Sequence, residues 1–141
     1  MPYLLDTDIL SALRKKRRDP KLEKWFAANR AADFYLSVVT VGEIQRGISR
    51  QQSVDPAFAS ALSNWLEGLL VHYGGRVLPL TVGIARRWGK LSAELGHHGA
   101  DLMIAATALE HNLTVITRNT TYFEPTRVAV INPFVGKANN C

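Results

Sequence analysis

Short apolar runs rich in β-branched and aromatic residues alternate along the chain with longer segments whose apolar residues recur at helical spacing. The short runs are typical of buried strands, and the longer segments are typical of amphipathic helices. The predicted strands are residues 3–5, 34–39, 76–80, 114–117 and 128–131. This alternation predicts a three-layer α/β/α fold with a central, mainly parallel five-stranded sheet.

The predicted helices begin at residues that cap helices well. A strongly apolar helix is predicted to start at Asp101 and to be almost wholly buried over residues 102–109. The segment 40–43 is predicted to open the helix after the second strand, and residues 96–99, which include two histidines, are predicted to be an exposed loop. The other predicted N-caps are Asp19, Asp55, Thr81 and, for the first helix, Thr7 or Asp8, with Asp6 as the alternative.

Length and composition indicate one globular domain. The chain has 141 residues, 47% of them hydrophobic and 21% charged, so we expect a single domain over residues 1–141. Its one cysteine, Cys141, excludes an intramolecular disulfide, and no apolar run approaches the ~20 residues of a membrane span. The first ten residues lack the charge pattern of a signal peptide, so we expect a cytoplasmic protein that does not bind a membrane.

The charge balance favours a polyanionic partner. The formal net charge is +5, and a basic excess of this size is common among proteins that bind nucleic acid. A basic run occupies residues 14–18, and it suits contact with RNA phosphates or with acidic groups of a partner protein as well as it suits a solvated helix end.

Acidic side chains stand where predicted strands end and helices begin. Asp6 follows the first strand, Glu43 lies in the first helical turn after the second, and Asp101 starts the buried helix. Because the carboxyl ends of parallel strands meet at one edge of a sheet, we expect Asp6, Glu43 and Asn119 to lie there. Asp101 joins them if its helix begins at that edge. Three carboxylates at close range repel, so that one takes up a proton or a cation sits among them.

The ligand chemistry of this edge favours a hard cation. Oxygen ligands without a nearby Cys or His favour Mg²⁺ or Mn²⁺ over Zn²⁺. Each acid also suits a purely structural role, since Thr40 and Glu43 have the spacing of a capping box and Asp6 and Asp101 suit N-cap positions. Their joint occurrence at one predicted edge favours a functional site.

Five segments of the chain, taken in their order along the sequence, resemble the PIN-domain ribonucleases, specifically the VapC/FitB-type toxins of bacterial toxin–antitoxin pairs. By this resemblance, Asp6, Glu43 and Asp101 fall on three acidic metal-site positions of the family. Asn119 falls on the fourth, where it offers a carbonyl oxygen without charge. Asp8 stands where the family often has asparagine, so we interpret it as a residue that supports the site or caps a helix. The segments that carry the resemblance are residues 4–9, 36–47, 101–108, 114–119 and 128–134.

The resemblance implies a PIN-like fold and a Mg²⁺-dependent endoribonuclease, the toxin of a type II pair, with Mn²⁺ as an alternative ion. It implies Asp6, Glu43 and Asp101 as catalytic residues and metal ligands, with Asn119 as a further ligand. We predict that Thr117 and Arg118 bind substrate, while the Thr117 hydroxyl suits a hydrogen bond to a carboxylate or a water, or a structural role at the strand end, equally well. The implied partners are RNA, a cognate antitoxin protein and a second copy of the chain. A homodimer also agrees with an apolar set too large for one small domain to bury easily, namely Trp65, Leu66, Leu69 and Trp88.

Two other functions remain open on the sequence. Asp6-Thr7-Asp8 after a hydrophobic strand matches the opening of haloacid-dehalogenase-type phosphatases, but those enzymes use a later lysine, and after Lys90 the only lysine is Lys137. The other alternative is a catalytically weak PIN-like module that binds RNA and protein, because Asn119 stands in place of an acid.

Overall fold

The fold is organised by a five-stranded sheet in which every neighbouring pair of strands is parallel. A computed structural model describes residues 2–135 of the chain. The strand order is β3-β2-β1-β4-β5, so the first strand of the chain lies in the centre. The strands are β1 (Tyr3–Leu5), β2 (Phe34–Ser37), β3 (Val77–Leu78), β4 (Thr114–Ile116) and β5 (Val130–Ile131).

Seven helices cover the two faces of the sheet, which confirms the predicted three-layer α/β/α arrangement. Alternate residues of β1 face opposite layers: Leu5 packs with α1–α4, whereas Leu4 packs with α6 and α7. Both side chains are fully buried. Because the sheet is covered on both faces, its strands are continuous apolar runs in the sequence. The helices are α1 (Thr7–Arg14), α2 (Pro20–Ala27), α3 (Val38–Val54), α4 (Pro56–Tyr73), α5 (Val82–Leu95), α6 (Ala100–His111) and α7 (Thr120–Phe123).

Three helix starts agree with the predicted caps. Asp19 accepts a hydrogen bond from the Lys21 amide, and Asp55 and Thr81 cap α4 and α5 through their side chains in the same way. Helix α6 is buried over most of its length, as its apolar sequence predicted. Loop residues 96–99 link α5 to α6, and both of their histidines are exposed.

The second strand is shorter than predicted, and the helix after it starts earlier. Ser37 accepts a hydrogen bond from the Val39 amide over 3.0 Å and is the N-cap of α3. Residues 38 and 39, which were predicted to be strand, are therefore helical. Thr40 lies inside the helix, so the alternative in which Thr40 and Glu43 form a capping box is wrong.

Other boundaries also differ from the prediction. Asp6 is the N-cap of α1, with its Oδ1 accepting from the Thr7 amide over 2.8 Å, so neither Thr7 nor Asp8 caps this helix. Gly99 occupies the N-cap position of α6, and Asp101 lies in the first turn. Strand β3 ends at Leu78 because Pro79 has no amide hydrogen for the ladder.

The apolar residues that suggested a dimer are largely packed within the chain. Leu66 is buried, and Trp65 and Leu69 pack against the core beside α1–α4. The apolar argument for a dimer is therefore weaker than the sequence suggested. Within residues 2–135, no helix combines the length and the apolar character needed to cross a bilayer. Cys141 lies outside the described residues.

Candidate active site at the carboxyl edge of the sheet

A cavity of about 280 Å³ opens at the carboxyl edge of the sheet, where β1 and β4 end. We call it the acid cavity, because four acidic side chains line it. All four predicted metal-site residues lie here, brought together from four separate parts of the chain. The polar lining consists of Asp6, Thr7, Asp8, Glu43, Asp101 and Asn119. The other residues that line the cavity are Ala100, Ile104, Tyr122 and Phe123.

Asp6 is fixed from both sides at the end of β1. Its amide donates to the Ile116 carbonyl, its Oδ1 accepts from the Thr7 amide, and its Oδ2 accepts from Thr117 Oγ1 over 2.8 Å. Burial, together with the nearby charges of Asp8 and Glu43, raises the pKa of Asp6 from 3.8 to about 6, against the effect of its hydrogen bonds. The carboxylate is thus held in one place where its charge is costly.

Asp8 contributes more to the cavity than the sequence indicated. Its Oδ2 accepts from the Arg118 amide over 3.1 Å and from Asn119 Nδ2 over 3.3 Å. Its Oδ1 is buried and has no hydrogen-bond partner. Burial raises the pKa of this carboxyl, although the Arg118 amide opposes the shift. A buried carboxylate oxygen without a partner is costly, and a bound cation would satisfy it.

Glu43 reaches the cavity from α3 and is held by Thr7. Glu43 Oε1 lies 2.6 Å from Thr7 Oγ1, which also lies 3.1 Å from Thr40 Oγ1. The early start of α3 at Ser37 explains this arrangement, because it places Thr40 inside the helix and Glu43 almost one turn later. The sequence indicates Thr7 only as a possible helix cap, and no spacing along the chain predicts its contact with Glu43.

Asp101 enters the cavity from the first turn of α6. Its Oδ1 lies so close to Gly99 that a β-carbon at residue 99 would approach it to 2.7 Å. A side chain at residue 99 would therefore displace the carboxylate, and a glycine suits the position. Asp101 is half-buried and also lines a neighbouring groove on its other side.

Thr117 and Arg118 do not line the acid cavity. Thr117 is fully buried, and its hydroxyl donates to Asp6, so it positions that carboxylate in place of the predicted contact with substrate. Arg118 is exposed, and its guanidinium carbon lies 3.9 Å from the centroid of the Phe134 ring, a geometry that favours a cation–π interaction. Its amide supports Asp8, while the prediction that its side chain binds substrate stays a prediction.

Asn119 lies in the cavity with its side chain directed to Asp8. It occupies the N-cap position of α7, but only its backbone carbonyl acts there, accepting from the Tyr122 amide over 3.1 Å. Its own amide donates to Thr117 Oγ1. The side chain makes no capping bond to this helix.

The basic run at residues 14–18 lies away from these groups. Helix α1 carries it roughly 10 Å from Thr7, and the run is exposed. Arg14 is engaged in packing, with its guanidinium carbon 5.2 Å from the Phe58 ring centroid and 5.9 Å from the Trp65 ring centroid.

The donor set fits a hard divalent cation. Every polar lining side chain offers oxygen, and the repulsion among the acids together with the unpartnered Asp8 Oδ1 would be relieved by positive charge. As they are oriented, no three acidic, histidine or cysteine side chains among residues 2–135 converge closely enough to ligate one ion. Glu43 is exposed on one side of the cavity, and a cation would bind there only if these side chains moved closer together.

The sequence matches a protein family and named relatives over most of its length. The family model described as PIN domain matches residues 3–127. The VapC ribonuclease Y4jK of Sinorhizobium fredii is 34% identical over 137 residues, which cover 93% of this chain and 96% of that protein. The toxin FitB of Neisseria gonorrhoeae is 33% identical over 137 residues, covering 93% of this chain and 97% of that protein.

Solved structures show the same architecture. The crystal structure of FitAcB from Neisseria gonorrhoeae superposes with a TM-score of 0.81 at 32% identity, covering 94% of this chain and 98% of that chain. A structure of FitAB bound to a DNA fragment gives a TM-score of 0.82 at 30% identity, covering 96% and 97% of the two chains.

Proposed function

This chain belongs to the PIN-domain family, and on that premise we propose that it is the toxin of a type II toxin–antitoxin pair and acts as a Mg²⁺-dependent endoribonuclease. The observation that carries the proposal is the acid cavity, where four carboxylates from α1, α3, α6 and the end of β1 face one opening. Relatives over more than nine-tenths of the chain bear the names VapC ribonuclease and toxin FitB.

We assign the metal to the oxygen atoms of the cavity. Asp6, Glu43 and Asp101 would hold Mg²⁺ or Mn²⁺, with the carbonyl of Asn119 as a further ligand, and the free Oδ1 of Asp8 adds a donor that the sequence did not indicate. When bound, such an ion supplies positive charge against the phosphodiester and lowers the pKa of water.

The protein's own contribution is to fix these acids where they can hold the ion. Thr117 and the Thr7 amide hold Asp6, and the Thr7 hydroxyl holds Glu43. Without metal the pKa of Asp6 is raised to about 6, because its charge is unfavourable among the other acids, and a cation bound by Asp6, Glu43 and Asp101 would remove this penalty. We assign catalytic roles to Asp6, Glu43 and Asp101 on this basis.

The partners follow from the same family relationship. RNA is the proposed substrate, and Arg118 is the proposed contact to one of its phosphates, because it is exposed on the loop that follows β4. We further propose a homodimer in the cytoplasm, inhibited by a cognate antitoxin. One solved structure of a similar protein, from Klebsiella pneumoniae and 25% identical, is a toxin–antitoxin complex.

The family match over residues 3–127 favours the nuclease over the phosphatase. An RNA cleavage assay distinguishes the nuclease from the catalytically weak binding module. Purified protein is incubated with structured RNA in Mg²⁺ and in EDTA, beside Asp6→Asn and Asp101→Asn. Glu67→Gln is the matched control, because Glu67 is an exposed acid on α4 outside the cavity.

We expect the wild type and Glu67→Gln to cleave RNA only with Mg²⁺, and both cavity variants to be inactive while their circular dichroism is unchanged. Full activity of either cavity variant would remove that residue from the site. RNA binding without cleavage by the wild type would favour the binding module, and hydrolysis of a small phosphomonoester would favour the phosphatase.

A further inference from the structure

A second groove adjoins the acid cavity. It has a volume of about 390 Å³, and two of its residues, Asp101 and Tyr122, also line the acid cavity. The two spaces are therefore neighbours along one surface. We call this space the Tyr122 groove. It is lined by His97, Asp101, Thr121, Tyr122 and Pro125.

Tyr122 is an exposed aromatic residue at the boundary of the two spaces. Its side chain is 63% exposed, whereas the next residue, Phe123, is 1% exposed and lies in the core. The Tyr122 amide donates to the Asn119 carbonyl, so the backbone that carries the ring is tied to the acid cavity. Core packing accounts for Phe123, but it does not account for an aromatic ring that faces solvent beside four acids.

The lining suits a flat, uncharged ligand. Tyr122 and His97 offer aromatic rings, Pro125 offers an apolar ring, and Thr121 offers a hydroxyl. Asp101, the one acidic residue of the lining, lies at the side shared with the acid cavity, and no lysine or arginine lines the groove. A phosphate therefore has no cation to pair with here, whereas a nucleobase has a stacking surface and hydrogen-bonding groups.

We propose that the Tyr122 groove is a subsite for one nucleobase of single-stranded RNA, which stacks on the Tyr122 ring beside the phosphodiester in the acid cavity. The inference rests on the proposed ribonuclease function. A base is joined to its phosphate through one sugar, so a base next to the reacting phosphate has to lie in a space that adjoins the acids. Stacking on aromatic rings is the common mode by which proteins hold unpaired bases.

The first test compares the kinetics of Tyr122→Ala and Tyr122→Phe on one RNA that the wild type cleaves. Val71→Ala is the control, because Val71 is 84% exposed on α4, outside the groove. We expect Tyr122→Ala to lower kcat/KM roughly 5- to 100-fold, mainly through KM, as loss of one base–aromatic stack does elsewhere. Tyr122→Phe keeps the ring and should stay near the wild type. Equal KM for Tyr122→Ala and the wild type would overturn the proposal.

The second test removes the base instead of the ring. After the cut site is mapped, the same RNA is prepared with one abasic nucleotide on either side of it. We expect one of these substrates to lose affinity for the wild type by about the factor seen for Tyr122→Ala, and to lose no more with Tyr122→Ala. If the loss from the abasic nucleotide and the loss from Tyr122→Ala multiply when the two are combined, the ring and the base do not interact. The proposal would then fail.

A binding measurement distinguishes failure of the proposed ribonuclease function from failure of the nucleobase subsite. If the wild type does not cleave RNA, fluorescence polarisation with a labelled single-stranded oligoribonucleotide still compares the wild type, Tyr122→Ala and Tyr122→Phe. Equal affinities would overturn the subsite, and a loss confined to Tyr122→Ala would support it. Unchanged RNA affinity together with weaker binding of the antitoxin would assign the groove to the protein partner and overturn the proposal.

Discussion

Thr117 and Asp6 are 111 residues apart in the chain, yet the Thr117 hydroxyl donates to Asp6 Oδ2 over 2.8 Å where β4 and β1 end side by side. The same hydroxyl accepts from the Asn119 amide over 3.0 Å. One buried oxygen atom thus links the carboxylate at the end of β1 to the loop that supports Asp8 and carries Asn119. Thr117 positions the site without contacting the cavity.

We expect Thr117→Val to destabilise the protein by about 1.5–3 kcal/mol, because a buried hydrogen bond to a carboxylate is lost. RNA cleavage should also fall, since Asp6 loses one of its two side-chain anchors. Urea unfolding and single-turnover cleavage measure the two effects. Thr117→Ser keeps the hydroxyl and should retain most of the activity. If Thr117→Val were as stable as the wild type, the hydrogen bond would not be significant.

Stability without divalent ions should depend on pH through Asp6. Its pKa rises from 3.8 to about 6 on folding because it is buried beside other acids, so between these values the folded state binds more protons than the unfolded state. The free energy of unfolding therefore falls as pH rises through this window, by up to about 3 kcal/mol. Asp8 shifts in the same direction.

Asp6→Asn is the matched comparison for this pH dependence. Urea unfolding in EDTA between about pH 4 and pH 7 should show that the wild type loses more stability than the variant as pH rises. Above about pH 6 the variant should be at least as stable as the wild type, since it carries no buried charge at this position. A wild type that gained stability relative to Asp6→Asn over this window would contradict the raised pKa.

Asn119→Asp should change stability in opposite directions with and without metal. Asn119 Nδ2 donates to Asp8 Oδ2, so the substitution replaces a donor by a carboxylate that faces another carboxylate. We expect a lower Tm in EDTA. With Mg²⁺ the added charge supplies one more ligand, so that calorimetry should show tighter divalent binding. Equal affinity and stoichiometry for both proteins would mean that residue 119 is not a ligand.

The antitoxin should compete with the metal for the acid cavity. A lysine or arginine side chain of the antitoxin placed beside Asp6 and Glu43 would relieve the same repulsion as a cation does. We therefore expect Mg²⁺ to bind much more weakly to the complex than to the free protein in calorimetric titrations. Unchanged Mg²⁺ affinity in an inhibited complex would show that inhibition acts elsewhere.

The homodimer is tested by sedimentation velocity at micromolar concentration. We expect both the free protein and its complex with the antitoxin to contain two copies of this chain. A monomer in both samples would remove this part of the proposal, and it would agree with the packing of Trp65 and Leu69 inside one copy.

The sequence predicted those features that depend on local chemistry or on the geometry of parallel sheets. Asp19 before Pro20 located the start of α2 because capping is decided within one helical turn. The shared edge of Asp6, Glu43 and Asn119 followed from strand polarity, whereas Asp101 was expected there only if its helix began at that edge. These predictions needed no knowledge of side-chain contacts.

Features decided by competition or by distant partners could not be predicted. Val38 and Val39 have strand-like side chains, but the Ser37 hydroxyl captures the Val39 amide and starts α3 there. The contact of Thr7 with Glu43 depends on that start. The burial of Thr117 depends on its place between β1 and the loop after β4, which no spacing along the chain reveals.

The central position of β1 has a consequence for synthesis on the ribosome. Tyr3 is made 111 residues before its partner in β4, Thr114. Until β4 has emerged, β1 lacks one of its two neighbours, and Asn119 and Tyr122 are absent from the acid cavity. Closing so long a loop is slow compared with forming the helices between. A nascent chain therefore carries no assembled site until β4 and the residues that follow it have left the ribosome.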